Sequence, residues 1–166
     1  MKVTFAENGI AMVDDARIIW RNFSGRATQY NREGDRNFAL IIPDQETADA
    51  FIKRGWNVKI KPPREEGEAP FMFINVNVKY GGRRDPEVYL WAGNNRTQLN
   101  EGTVKILDDV EMDRCNMDLR PYDWSGTGEK CSAYLQAIEV FQNVSRFAAR
   151  FAEEEGPGEP AGLPWD

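Results

Sequence analysis

Phe71-Met72-Phe73-Ile74-Asn75-Val76-Asn77-Val78-Lys79-Tyr80 sorts itself into two faces. Met72, Ile74, Val76 and Val78 fall on one, and Phe71, Phe73, Asn75, Asn77 and Lys79 on the other. Successive side chains of a strand point to opposite sides of a sheet, so this alternation predicts a strand with one buried face. The second face is unlike an ordinary solvated surface. It carries two phenylalanines, two amides and a lysine, and aromatics with a cation on an exposed face are what stacked bases and neighbouring phosphates require. A strand buried on both sides, with its phenylalanines in a second core layer, also fits this stretch.

The neighbouring stretches extend the pattern. Glu87-Val88-Tyr89-Leu90-Trp91-Ala92 puts Val88, Leu90 and Ala92 on one face and Tyr89 and Trp91 on the other. Its closeness in sequence predicts pairing with the first strand across the turn Gly81 to Pro86, which would set Tyr89 and Trp91 beside Phe71 and Phe73. Upstream, Trp56 to Lys61 alternates with Trp56, Val58 and Ile60 inward and Lys59 and Lys61 outward. Phe38 to Ile42, closed by Pro43, reads as a buried strand. Asp44 then caps a short helix, Gln45 to Arg54, which is expected to bury Ala48, Phe51 and Ile52 and to stop at Gly55.

Residues 3–13 flank Asn8-Gly9 and predict a small leading hairpin. Ala16 to Phe23 is rich in β-branched and aromatic residues and predicts a strand. Ser24 to Asn37 is polar and glycine-punctuated, a long loop of the kind that carries function in compact domains. Between Arg17 and Arg36 stand five arginines and two acids, with Trp20, Phe23 and Tyr30 among them. Gly93 to Thr97 reads as a loop, and Asn100 or Thr103 as the start of one helical turn. Strands at Asn116 to Trp124 and Lys130 to Phe141, joined by a turn at 125–128, close the body.

These elements predict a mainly β chain: an OB-like antiparallel β-barrel with one short helix, over residues 1–142. Closure of such a sheet would remove its exposed edges. A β-sandwich is the competing architecture. Residues 143–166 form a second region. Val144 to Glu155 carries helical spacing, and Gly156 to Gly162 is a disordered linker by composition.

Composition narrows the function. With no histidine and two cysteines, Cys115 and Cys131, the commonest general base and zinc ligands are missing. No nucleotide-binding or nucleophile-elbow motif is present. The expectation is a binding protein without metal or cofactor. No apolar run reaches the ~20 residues of a membrane span, the start lacks signal-peptide character, and two cysteines suit a reducing compartment, so a cytoplasmic protein is expected. Net charge is −6, but five of the 27 acids fall in residues 151–166, leaving 21 basic and 22 acidic groups in the first 150. The body is almost neutral and the end is acidic.

That end closes on Leu163-Pro164-Trp165-Asp166. A flexible acidic linker with an apolar tip suits a partner's pocket rimmed by bases, whereas the bland alternative is a frayed terminus. Acidic tails with an aromatic tip resemble those of bacterial and phage single-stranded-DNA-binding proteins, although here Asp166 follows the tryptophan. The body resembles a group of phage single-stranded-DNA-binding proteins too. The likeness is carried by Arg21 to Gly25, Tyr30 to Phe38, Gly55 to Lys59 and Pro63 to Gly67, and more loosely by Leu119 to Trp124. It spans about residues 10–142 and implies an OB-type barrel. The separate resemblance of the tail implies that it recruits replication or recombination proteins and can compete with DNA for the basic groove.

Binding physics names the contact candidates. Aromatic platforms are expected at Phe71, Phe73, Tyr89, Trp91 and Tyr30, with Trp20 and Trp56 read more readily as core. Phosphate contacts are expected from Arg21, Arg26, Arg32, Arg36, Lys59, Lys61, Lys79, Arg83, Arg84 and Arg96, although Arg32 and Arg36 could instead pair with Glu33 and Asp35. Leu163, Pro164, Trp165 and Asp166 are the partner-binding candidates. The oligomeric state is left open, homo-oligomers included. Two rivals remain: a protein-interaction or virion adaptor, and a metal-dependent nuclease built on Asp108-Asp109-Glu111-Asp113.

Overall fold

The computed structural model describes residues 1–122 and 130–144. The expected turn at 125–128, the helical stretch beyond residue 144 and the acidic tail with its tip lie outside them. The described residues form ten strands, one α-helix and one 3-10 turn. In chain order these are β1 (Lys2–Phe5), β2 (Ala11–Ala16), β3 (Ile18–Asn22), β4 (Arg36–Ile42), α1 (Gln45–Lys53), β5 (Lys59–Lys61), β6 (Phe71–Val78), β7 (Glu87–Ala92), β8 (Asn95–Leu99), the 3-10 turn (Val104–Asp108), β9 (Met112–Tyr122) and β10 (Ser132–Gln142).

All ten strands belong to one hydrogen-bonded sheet of order β1-β2-β9-β10-β6-β4-β3, with β5 on β6 and β7 and β8 attached through β10. The chain is thus mainly β and OB-like with one helix, and a two-sheet sandwich is not what forms. The sheet does not close by hydrogen bonds. The end strand β3 and β2, which lies next to the other end strand β1, are nevertheless consecutive in the chain and meet at Arg17, whose carbonyl accepts from the Ile41 N–H at 3.0 Å. One bent run therefore joins the two sides of the sheet and brings it round on itself.

The interior is filled by alternating inward residues: Val13 from β2, Phe38 and Leu40 from β4, Ile74 and Val76 from β6, Val88 and Leu90 from β7, Leu119 from β9, and Ile138 and Val140 from β10. Burying each such side chain stabilises the fold by roughly 1.5–3 kcal/mol relative to exposure. Asp44 caps α1 by accepting from the Thr47 N–H at 2.8 Å, and hydrogen bonding from the Thr47 side chain, then from its backbone N–H, holds the carboxyl below the usual range. Ala48 and Phe51 are buried as expected, but Ile52 is 48% exposed, because it lies one position round the helix from the Phe51 face. Ile60 departs likewise: β5 is only three residues long, all exposed, and Ile60 stands 55% open.

One correction reaches the function. The strands β6 and β7 do not pair with each other. Both run parallel to β10, β6 beside Ala133 and Tyr134 and β7 beside Ala137 to Phe141. Residues 79–86 carry the chain from one position to the next along β10. Phe71 and Phe73 are therefore not beside Tyr89 and Trp91. The partner of β7 on its other side is β8, a strand where a loop was expected, with Trp91 opposite Arg96.

Candidate nucleic-acid interface

Three sets of side chains stand on the outer face of the sheet. The first is built around β6. Phe71 and Phe73 are half-buried there, 5.6 Å apart between ring centroids, which excludes them from the core. Strand β5 pairs with this end of β6 and places Lys61 opposite Phe71 and Lys59 opposite Phe73, on the same face. The third ring is Trp20. Its backbone has φ +55, at an irregularity where the β3–β4 register shifts between Ile19 and Asn22. A bulge of this kind re-aims a side chain. The indole reaches Phe71 at 5.6 Å and Phe73 at 5.0 Å, both edge-to-face, and Lys61 Nζ lies 5.2 Å from its centroid. Trp20 is 49% exposed and is not core; Trp56, at 4%, is. A left-handed backbone is unfavourable for a bulky residue, and such outliers gather at functional positions.

The second set is the loop 24–35, which leaves β3 close to Trp20. Asn22 is buried at its base. Its Oδ1 accepts from Ser24 Oγ and from the Gly25 and Arg26 N–H groups, while its Nδ2 donates to the Arg26 carbonyl. Asp108 completes the anchor by accepting from the N–H groups of Phe23 at 2.7 Å and Ser24 at 3.1 Å. The loop is pinched where the Gly34 N–H donates to the Gly25 carbonyl, and a Cβ on Gly25 would come within 3.2 Å of Gly34 Cα. Beyond the pinch, Arg26 and Arg32 are exposed and Tyr30 is 86% exposed. A hydrogen-bonded base presents an exposed polar rim with an aromatic tip.

The third set follows β10. Tyr134 lies between Arg120 of β9 and Asn77 of β6, with Tyr122 edge-on to it at 5.5 Å. Farther along, Arg96, Trp91, Phe141 and Arg114 form a row of directly opposed residues across β8, β7, β10 and β9. Trp91 and Phe141 stack at 6.0 Å and 6°. Arg96 covers Tyr89 at 4.6 Å and Trp91 at 5.9 Å, and Arg114 covers Phe141 at 3.9 Å.

The structure therefore divides the sequence candidates. Phe71, Phe73, Lys59 and Lys61 come together with Trp20. Tyr30, Arg26 and Arg32 share the loop. Lys79, Arg83 and Arg84 are exposed on the excursion between β6 and β7, and have no ion pair among the described residues. Tyr89, Trp91 and Arg96 belong to the separate row. Two arginines are engaged internally. Arg21 donates to the carbonyls of Leu107 and Val110 at 2.8 and 2.7 Å, tying β3 to the end of the 3-10 turn. Arg36 donates to the Phe23 carbonyl, pairs with Glu101 rather than Asp35, and lies over the Tyr80 ring. Burial pushes the Tyr80 hydroxyl up to about 12. Tyr122, Tyr134, Phe141, Arg114 and Arg120 were missed. The alternation of Ser132 and Tyr134 against Ala133 and Leu135 signals one of them, but the register shift after Leu135 hides Phe141.

A family model described as "Putative phage ssDNA-binding domain" matches residues 3–155. The chain belongs to this family. The family is defined by binding rather than by catalysis, in keeping with an Asp108 carboxylate engaged in loop anchoring. Two solved structures of the single-stranded DNA-binding protein from bacteriophage Enc34 are similar to it. The C-terminally truncated form is 12% identical, covers 87% of this chain and 97% of its own, and has a TM-score of 0.49. The form in complex with ssDNA is 13% identical, covers 87% and 93%, and has a TM-score of 0.51, a likeness of fold. No curated protein matches.

Proposed function

We propose that this phage-family domain binds and protects single-stranded DNA largely without sequence preference, during replication or recombination in the host cytoplasm. The observation that carries the reading is the half-open cluster of Trp20, Phe71 and Phe73 flanked by Lys59 and Lys61. Rings of this kind stack any base, at roughly 1–3 kcal/mol each, and the ammonium groups meet the phosphates between them. The loop carrying Arg26, Tyr30 and Arg32 extends the same surface, and Lys79, Arg83 and Arg84 add charge along it. The amides of Asn22, Asn37 and Asn77 are engaged within the protein, in keeping with binding that rests on rings and charge more than on base edges.

The direct test is a titration with oligo-dT at two salt concentrations. Affinity is expected to fall steeply as salt rises, through counterion release. An oligonucleotide that does not bind, or binds without salt dependence, removes the proposal. Changing Lys59 and Lys61 together to glutamine is expected to reduce the slope of log affinity on log salt by about 1.4, at ~0.7 per phosphate of a single strand.

The acidic tail completes the proposed function as a ligand for replication or recombination proteins, through Leu163, Pro164, Trp165 and Asp166. Deleting residues 152–166 is expected to leave DNA affinity intact or raised and to abolish co-purification of the phage replication enzymes. Clearly weaker DNA binding by the shortened chain would contradict a tail that competes with DNA.

A further inference from the structure

The row Arg96–Trp91–Phe141–Arg114 is not a second base-stacking platform. Each ring face that points along the row is already taken: Trp91 lies between Arg96 and Phe141, and Phe141 between Trp91 and Arg114. A base could stack only by displacing a guanidinium. The guanidinium groups are in the opposite condition. A planar guanidinium lying on a ring keeps its N–H fork directed away from the ring, where it can grip an oxyanion. Neither Arg96 nor Arg114 makes an ion pair among the described residues. The nearby carboxylate on this face, Glu139, accepts from Asn116 Nδ2 at 2.8 Å instead.

We infer that this row is a phosphate-binding subsite, in which two ring-supported arginines hold the backbone of a strand whose bases are stacked elsewhere. The inference rests on the single-strand reading and deepens it by dividing the surface into a base-holding part and a backbone-holding part. The two arginines stand three strand spacings apart, about 14 Å at ~4.8 Å per strand, so they engage separate phosphates. The row lies on the order of 20 Å beyond Tyr134 along β10, at ~3.3 Å per residue. A short strand seated on Trp20, Phe71 and Phe73 cannot reach it. A long one follows the outer face of β6 and then β10, which run in the same direction.

The test uses the full-length chain with Arg96→Gln and Arg114→Gln together, titrated with oligo-dT of ~4 and ~16 nucleotides, the two ends of the site sizes of such barrels. The variant is expected to bind the long strand roughly tenfold more weakly at low salt, with a salt slope smaller by about 1.4. Its binding of the short strand is expected to be unchanged. Unchanged affinity and slope for the long strand overturn the subsite. Equal losses for both lengths overturn it too, because the damage then lies in the fold or in the Trp20 cluster. Arg96→Lys with Arg114→Lys retains both charges and is expected to keep the wild-type slope, and a slope as shallow as that of the glutamine variant contradicts the inference. A wild-type chain that binds neither oligonucleotide disproves the single-strand reading itself, a result distinct from all of these.

Discussion

Replacing Trp20 by glycine is expected to weaken oligo-dT binding by roughly 1–3 kcal/mol, the value of one stacked base, without lowering the thermal midpoint. The reason is the backbone beneath the ring. At φ +55 a residue with a Cβ is strained by roughly 1–2 kcal/mol, and glycine relieves that strain. The ring itself is half in water and touches two other half-exposed rings, so its removal takes little from the core. Trp20→Ala supplies the control: it deletes the same ring and keeps the strain, so it should lose the same affinity while melting lower than the glycine variant. Calorimetry and oligonucleotide titration on the two proteins check both halves. A glycine variant with undiminished affinity removes Trp20 from the interface. One that melts well below the wild type shows the indole to be a structural residue.

Asn22→Ala is expected to be the most damaging single change near the site. It deletes an acceptor for three groups and a donor for a fourth at a buried position. Orphaned buried polar groups cost about 1–3 kcal/mol each, and partial rescue by water leaves a net loss of roughly 2–4 kcal/mol. The damage should be local as well as global. With the Gly25 and Arg26 amides released, the loop that presents Arg26, Tyr30 and Arg32 loses its fixed base. Denaturant unfolding measures the first effect, and hydrogen exchange at the Gly25 and Arg26 amides the second. A change within ~0.5 kcal/mol, as for an ordinary surface substitution, with amide protection unaltered, would show that the loop is held by other contacts.

Much of the architecture was legible because it depends on local rules. The period of two in residues 71–78 and 87–92 assigned both faces of β6 and β7 correctly, since burial enforces it. Asn8-Gly9 marked the first hairpin, where Gly9 has φ +90, and Asp44 marked the start of α1. The failures come from partners distant in sequence. Pairing β7 with β6 assumed that neighbours in sequence are neighbours in the sheet, but β10, whose paired residues lie 57 positions after those of β6 and 50 after those of β7, runs alongside both. Arg21 looks like a phosphate ligand by type. Its acceptors are carbonyls 86 and 89 residues away, which no local pattern announces. Trp20 was misjudged for a different reason. A strand of regular period would have turned it inward beside Ile18, and only the bulge re-aims it. Bulges have no dependable signature in a single sequence, and here one decides which aromatic residue faces outward.

The central claim is that unpaired bases lie against Trp20, Phe71 and Phe73. Ultraviolet cross-linking of the full-length protein to oligo-dT, followed by mass-spectrometric mapping of the adducts, asks this most directly. Adducts are expected on those three rings, joined by Tyr30 at the loop tip. Adducts confined to residues away from this cluster, with Trp20, Phe71 and Phe73 recovered unmodified, would contradict it.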